Sequence, residues 1–198
     1  MNKKYLLGCL GAVVLLIIIV VGWVVGIYNG MVTAQESATT AWADVQSTYQ
    51  RRADLIPNLV ETVKGYAAHE QGTFESVVNA RSKATQITID PTNLTPEKLK
   101  EFQEAQGELT SALGRLIAIQ ENYPELKANE NFRDLQVQLE GCENRINEAR
   151  RKFNEAVQNY NVKIRRFPAT IFAGMFGFDT MAKFEAEQGA ERAPQVQF

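Results

Sequence analysis

A histidine followed by glutamate on a bundle helix can accept a phosphoryl group, and His69-Glu70 is such a pair. That chemistry needs a nucleotide-binding domain, and no Gly-rich phosphate loop occurs in the 198 residues. The pair therefore reads as a helix-terminal histidine beside a helix dipole. His69 is the chain's single histidine, which excludes multi-histidine metal sites. Tyr66 stands three before it, so the Glu-x-x-His pattern of carboxylate di-metal bundles is absent. No Gly-x-Ser-x-Gly elbow is present. Cys142 falls on an apolar helical seam, where cysteine acts as a small hydrophobe. Cys9 lies far away in an apolar run, so the two cysteines make no disulfide framework. The expectation is no catalytic residue, no metal and no cofactor.

Polar side chains offer more. Arg51, Arg52, Asp54 and Asn58 share one helix, and Asn144, Arg145, Arg150, Asn154 and Asn161 share another. They are expected to form an interhelical polar network that sets helix register. The alternative is a surface for an anionic partner. With 21 basic and 23 acidic residues the net charge is −2, and two of the lysines, Lys3 and Lys4, precede the apolar run. The rest of the chain is more acidic still, which argues against nucleic acid as a partner.

Residues 5–27 carry no charge. As a helix this segment rises about 34 Å, enough to cross a hydrocarbon core of about 30 Å. Tyr5, Trp23 and Tyr28 sit towards its ends, where amphipathic rings favour the interface. The run is too long for a signal-peptide core and no A-x-A-like site follows it. Leu6-Leu7-Gly8-Cys9 resembles a lipobox, but the apolar run follows the cysteine instead of preceding it. A retained transmembrane helix is expected, with membrane lipid as a partner. Lys3 and Lys4 place residues 1–4 in the cytoplasm and the remainder outside, at the periplasm or cell surface. Gly22-x-x-x-Gly26 matches a pattern for self-association of spans.

Beyond the span the hydrophobic period is helical nearly everywhere. Ala38, Trp42, Val45, Tyr49, Ile56, Leu59, Val63 and Tyr66 recur at threes and fours, with Arg52 the one charged interruption. The register runs through Pro57, which predicts one long helix kinked there and ending around 68–72; the alternative is a helix hairpin at 54–57 with Asp54 as the N-cap of a new helix. A shorter helix is expected at about 73–85, with Phe74, Val77, Val78 and Ala84 inward, then a loop over 88–95. Thr95-Pro96-Glu97 starts another helix, which Tyr123-Pro124 ends. Phe132, Leu135, Leu139, Cys142, Ile146, Ala149, Phe153, Ala156 and Tyr160 form a heptad seam about 43 Å long, capped by Asn129 or Asn131. The fold class is all-α: an N-terminal transmembrane helix (5–27), then an antiparallel, up-down helical bundle with long coiled-coil-like helices (28–166).

Two long blocks are specific. The first is Arg51-Arg52-Ala53-Asp54-Leu55-Ile56-Pro57-Asn58, continuing through Glu61 and Tyr66 to His69-Glu70 and Ala80-Arg81. The second is Glu143-Asn144-Arg145, Ala149-Arg150-Arg151, Phe153-Asn154, Tyr160-Asn161 and Phe167-Pro168. With Tyr28-Asn29 just after the span, they resemble the LemA family over about residues 5–185. Phe153 stands where Tyr is expected and Cys142 where Thr is expected. The resemblance implies a bacterial single-span protein with an all-helical antiparallel bundle, and it supplies no catalytic activity.

Residues 167–184 are dense in aromatics and follow Arg165-Arg166. Two readings stay open. Phe167, Ile171, Phe172, Met175, Phe176 and Phe178 contact the membrane surface or another subunit, with the arginines on lipid phosphates. Alternatively the segment folds back to cap the bundle core. Residues 185–198 are polar and expected to be a flexible tail. Together these features point to a membrane-anchored structural or interaction protein that self-assembles as a homo-oligomer. The alternative is an extracytoplasmic sensor or adaptor for another membrane protein, such as a protease or signalling kinase.

Overall fold

The computed structural model describes residues 3–185, with side chains from Leu10 onward. Its helices are α1 (Lys3–Lys64), α2 (Gln71–Gln86), α3 (Pro96–Ala118), α4 (Pro124–Ala128), α5 (Glu130–Arg165) and α6 (Ala169–Phe176), and no strand occurs among the described residues. The all-α reading therefore holds.

α1 joins two kinds of surface in one rod. Its N-terminal part is the one stretch among the described residues long and apolar enough to cross a membrane, and none of that stretch is buried in the protein. From Met31 onward the same helix presents a buried stripe: Ala38, Trp42, Val45, Tyr49, Ile56, Leu59 and Val63 all lie in the core. Helical structure continues through Pro57, so there is no turn at that point. The helix ends at Lys64, earlier than expected. Gly65 follows, a poor helix former, and the chain turns through hydrogen bonds from Tyr66 and Ala67 N–H to the Val63 carbonyl.

The order is up, down, up, down. Lys163 lies against Gly30 while Arg52 reaches Glu143, so α5 runs antiparallel to α1. α2 descends along the distal part of α1, with Phe74 beside Lys64 and Arg81 beside Ala53. α3 returns along α2 through Arg115 to Ser76 and Lys83 to Glu108. The Thr95 hydroxyl accepts from Lys98 N–H at 3.4 Å to start α3, with Pro96 at the first helical position. Asn129 starts α5, its amide oxygen accepting from Phe132 N–H at 2.9 Å. Pro124 does not simply close α3: that helix runs out at Ala118 into a 3-10 turn, and Pro124 opens α4. The α5 seam is buried as read from its heptads, with Leu135 and Ala156 at its edge and Val157 and Ile164 added. Val78 is the exception on α2: it is 55% exposed, because Phe74, Val77 and Ala84 already fill the face towards α1 and α3.

The core divides into two clusters. The membrane-proximal one gathers Trp42, Phe102, Phe153 and Phe184, and the distal one gathers Leu59, Phe74, Leu116 and Phe132. Arg52 lies between them.

Candidate functional site

Arg52 is the one basic residue buried in the core among the described residues, 1% exposed, at a register position that the α1 stripe reserves for apolar residues. An isolated buried cation is costly, so a fold that keeps one must surround it with acceptors. Its Nη1 donates to Glu143 Oε1 on α5 at 2.6 Å and to Thr110 Oγ1 on α3 at 3.0 Å. Its Nη2 donates to Gln106 Oε1 at 2.6 Å. The Gln106 amide in turn donates to the Ala84 carbonyl at the end of α2, 3.2 Å away. The guanidinium also stands 5.1 Å from the Tyr49 ring centre. Arg52 thus ties α1 to α3 and α5 at the junction of the two core clusters, and Gln106 carries the connection on to α2.

The expected polar network is drawn differently. Arg52 enters an interhelical network, with Glu143, Gln106 and Thr110 as partners. Arg51, Asp54, Asn58, Asn144 and Arg145 occupy exposed positions, and Asp54 accepts from Gln50 on its own helix. Gln106, Thr110 and Glu143 were missed by sequence reasoning. The available signal was Gln106, a polar residue on the apolar stripe of α3, buried between Phe102 and Leu109.

Asn154 and Asn161 act on the C-terminal segment. The Asn161 amide accepts from Met181 N–H at 3.0 Å and donates to Met181 O at 2.8 Å. The Asn154 amide brackets Phe184 in the same way, at 2.9 and 3.0 Å. The spacing explains the fit. Seven residues of helix rise about 10.5 Å and three residues of extended chain cover about 10 Å, so each amide meets a backbone unit of an antiparallel strap. The strap is further tied by Ala182 N–H to Leu94 O, and by the Tyr160 hydroxyl to Asp179 O at 2.8 Å. Burial, with the Asp179 carboxylate nearby, raises the Tyr160 pKa above its ordinary value. Arg150 stacks its guanidinium 4.7 Å from the Phe184 ring centre.

The 167–184 segment divides between its two expected roles. Ala173, Met181 and Phe184 are buried in the membrane-proximal cluster, with Phe172 and Phe178 packed against it. Phe167, Ile171, Met175 and Phe176 are exposed, as are Arg165 and Arg166. α6 lies against the top of the apolar part of α1: Phe172 meets Trp23 edge-on at 6.3 Å, and Phe176 meets Tyr28 at 5.1 Å. Gly22 and Gly26 face open space, with no other side chain near enough to touch a side chain placed there.

Reactive chemistry does not assemble among the described residues. His69 is exposed in the turn between α1 and α2, and Cys142 is a buried free thiol on the seam. No group of three or more metal-ligating side chains occurs among them. A cavity of about 210 Å³ between α1, α2 and α3 is lined by amides, hydroxyls and apolar groups, including Gln46, Tyr49, Gln50, Thr85 and Gln106, with no carboxylate, imidazole, thiol or basic side chain in its lining. Expectations for residues 1, 2 and 186–198 lie outside the described residues; Glu185 itself accepts through its carbonyl from Gln103 and Arg150.

The profile of the LemA family matches residues 41–198, most of the chain. The chain belongs to the LemA family. It is 28% identical over 189 residues to magnetosome protein MamQ of Magnetospirillum gryphiswaldense, covering 85% of this chain and 70% of that protein. Magnetosome protein MamQ 2 of Paramagnetospirillum magneticum is 26% identical over 83% of this chain and 66% of its own length, slightly less than two thirds. Protein LemA of Metamycoplasma hominis is 26% identical over 83% of this chain and 71% of its own length. The two LemA-like sequence blocks are the ones the fold brings together. Arg52 of the first meets Glu143 of the second, and Asn154 and Asn161 of the second hold the strap that closes the same bundle.

Proposed function

We propose that this LemA-family chain is a membrane-anchored structural protein that self-assembles and catalyses no reaction. The observation that supports it is the continuity of α1, whose exposed apolar part passes without a break into the bundle core. A tether and bundle built on one rod move together and transmit position, which suits a scaffold. Gly22 and Gly26 bring spans together through a close backbone approach, and the charged outer faces of α2, α3 and α5 extend the contact. Lys3 and Lys4 keep the N-terminus in the cytoplasm, so the bundle stands outside.

The test is the mass of the detergent-extracted full chain by light scattering, together with crosslinking in native membranes. A homo-oligomer that Gly22→Leu and Gly26→Leu dissociate supports self-assembly. A monomer crosslinked to a different membrane protein favours a sensor or adaptor.

A further inference from the structure

α6 has a composition that water does not explain. Ala169–Phe176 contains no charged residue, and its only side-chain polar group is the Thr170 hydroxyl. A helix apolar all round belongs in a core or in lipid. Yet only Ala173 of α6 is fully buried. Phe167 is 81% exposed, Ile171 54% and Met175 73%. Ile171 and Met175 are four residues apart on α6, so they share the side away from Ala173, and Phe167 is exposed in the turn just before the helix.

The position of that stripe names its partner. α6 packs on Trp23 and Tyr28, the upper end of the segment that crosses the membrane. Trp23 is itself 53% exposed and Tyr28 40%. The stripe is therefore continuous with the lipid-facing surface of α1, at the depth where aromatic rings settle. Just above it Lys163 and Arg165 stand in the last turn of α5 and Arg166 caps it, and neither arginine has an acidic partner among the described residues. Cations over an apolar stripe complement a layer of phosphates over acyl chains.

We propose that α6 lies in the headgroup layer of the leaflet its own α1 enters, with Ile171 and Met175 in the upper acyl region and Arg165 and Arg166 on anionic headgroups. This rests on α1 crossing the membrane. It gives the bundle two attachments to lipid. A tether alone would leave the bundle free to tilt, whereas the second contact sets the angle at which it stands.

The test uses the full chain carrying Cys9→Ala, with one new cysteine bearing an environment-sensitive fluorophore, in phosphatidylcholine vesicles with or without phosphatidylglycerol. Labels at Ile171→Cys and Met175→Cys are expected to emit to the blue. A nitroxide near the headgroup should quench them more than one deep in the acyl chain. A label at Val14→Cys should show the reverse order, and one at Val137→Cys, exposed on α5, should respond to neither. Phosphatidylglycerol should increase the quenching at Met175→Cys, and Arg165→Gln with Arg166→Gln should abolish that increase. Blue emission without lipid quenching at 171 and 175 overturns the proposal in favour of a protein contact, and water-like emission overturns it outright. If Val14→Cys escapes the deep quencher, the span itself fails and the proposal falls with it, a result distinct from failure at α6 alone.

Discussion

The Arg81 Nε donates to the Ala53 carbonyl at 2.9 Å, linking α2 to α1. Ala53 is four residues before Pro57, so its carbonyl is the one whose usual helical donor proline lacks. Ala53 is 3% exposed, and water cannot easily replace that donor. α1 thus runs through its proline because a neighbouring helix supplies the missing hydrogen bond.

This relationship predicts coupling. Arg81→Met strands the carbonyl and should lower stability by about 1–3 kcal/mol. In a Pro57→Ala background the backbone N–H restored at position 57 serves Ala53 instead, and the same change should cost much less. Urea unfolding of the four chains in detergent measures the difference. Equal costs in both backgrounds would mean the two residues act independently.

The Arg52–Glu143 pair should respond asymmetrically. The Arg52 side chain is 2% exposed and that of Glu143 42%. Glu143→Ala leaves a buried cation without its counter-charge and should cost about 3 kcal/mol. Arg52→Met leaves a carboxylate that can turn to solvent, and should cost less. Thermal unfolding of both variants decides the order, and a larger loss for Arg52→Met would refute it.

The strap should open at the asparagines. Asn161→Ala frees both backbone groups of Met181, and Asn154→Ala frees those of Phe184. Amide exchange at Met181 and Phe184 should quicken in the respective variants, while the distal core keeps its protection. Unchanged exchange would show that Met181 and Phe184 packing alone holds the strap.

Alkaline pH should loosen the same strap. The Tyr160 pKa is raised, so the fold favours the neutral hydroxyl. Its contribution is complete below the unfolded value of about 10 and is lost as pH climbs through the higher folded value. Ultraviolet titration should show one phenol ionising late, together with a change in Trp42 fluorescence as Phe184 leaves its stacked position 6.0 Å away. Tyr160→Phe should remove the late phenol. A fluorescence change that persists unaltered in that variant would assign the opening to another group.

Trp42 anchors the proximal cluster, fully buried against Phe102 and Phe153 at 5.4 and 5.3 Å. Trp42→Ala should cost about 3–5 kcal/mol by calorimetry. A loss below about 1 kcal/mol would show that the cluster refills the space.

Periodicity alone was enough for the four long helices, though not for the short α4 and α6, because burial on one face of a 3.6-residue repeat leaves its record in the order of residues. The heptads of α5, the cap at Thr95 and the apolar run before Tyr28 are local facts, and a local reading recovers them. Arg52 was legible as an anomaly: a charge on an apolar stripe must find acceptors. Which acceptors it finds depends on the rotation of α3 and α5 about their axes, and no spacing within α1 encodes that. Likewise Asn154 and Asn161 look like solvent-facing amides until a strap arrives across 20 or more residues of chain. Only the tertiary fold set α6 beside Trp23 and Tyr28. The distance along the chain is long and the distance in space short, because antiparallel packing returns the end of α5 to the level where α1 leaves the membrane.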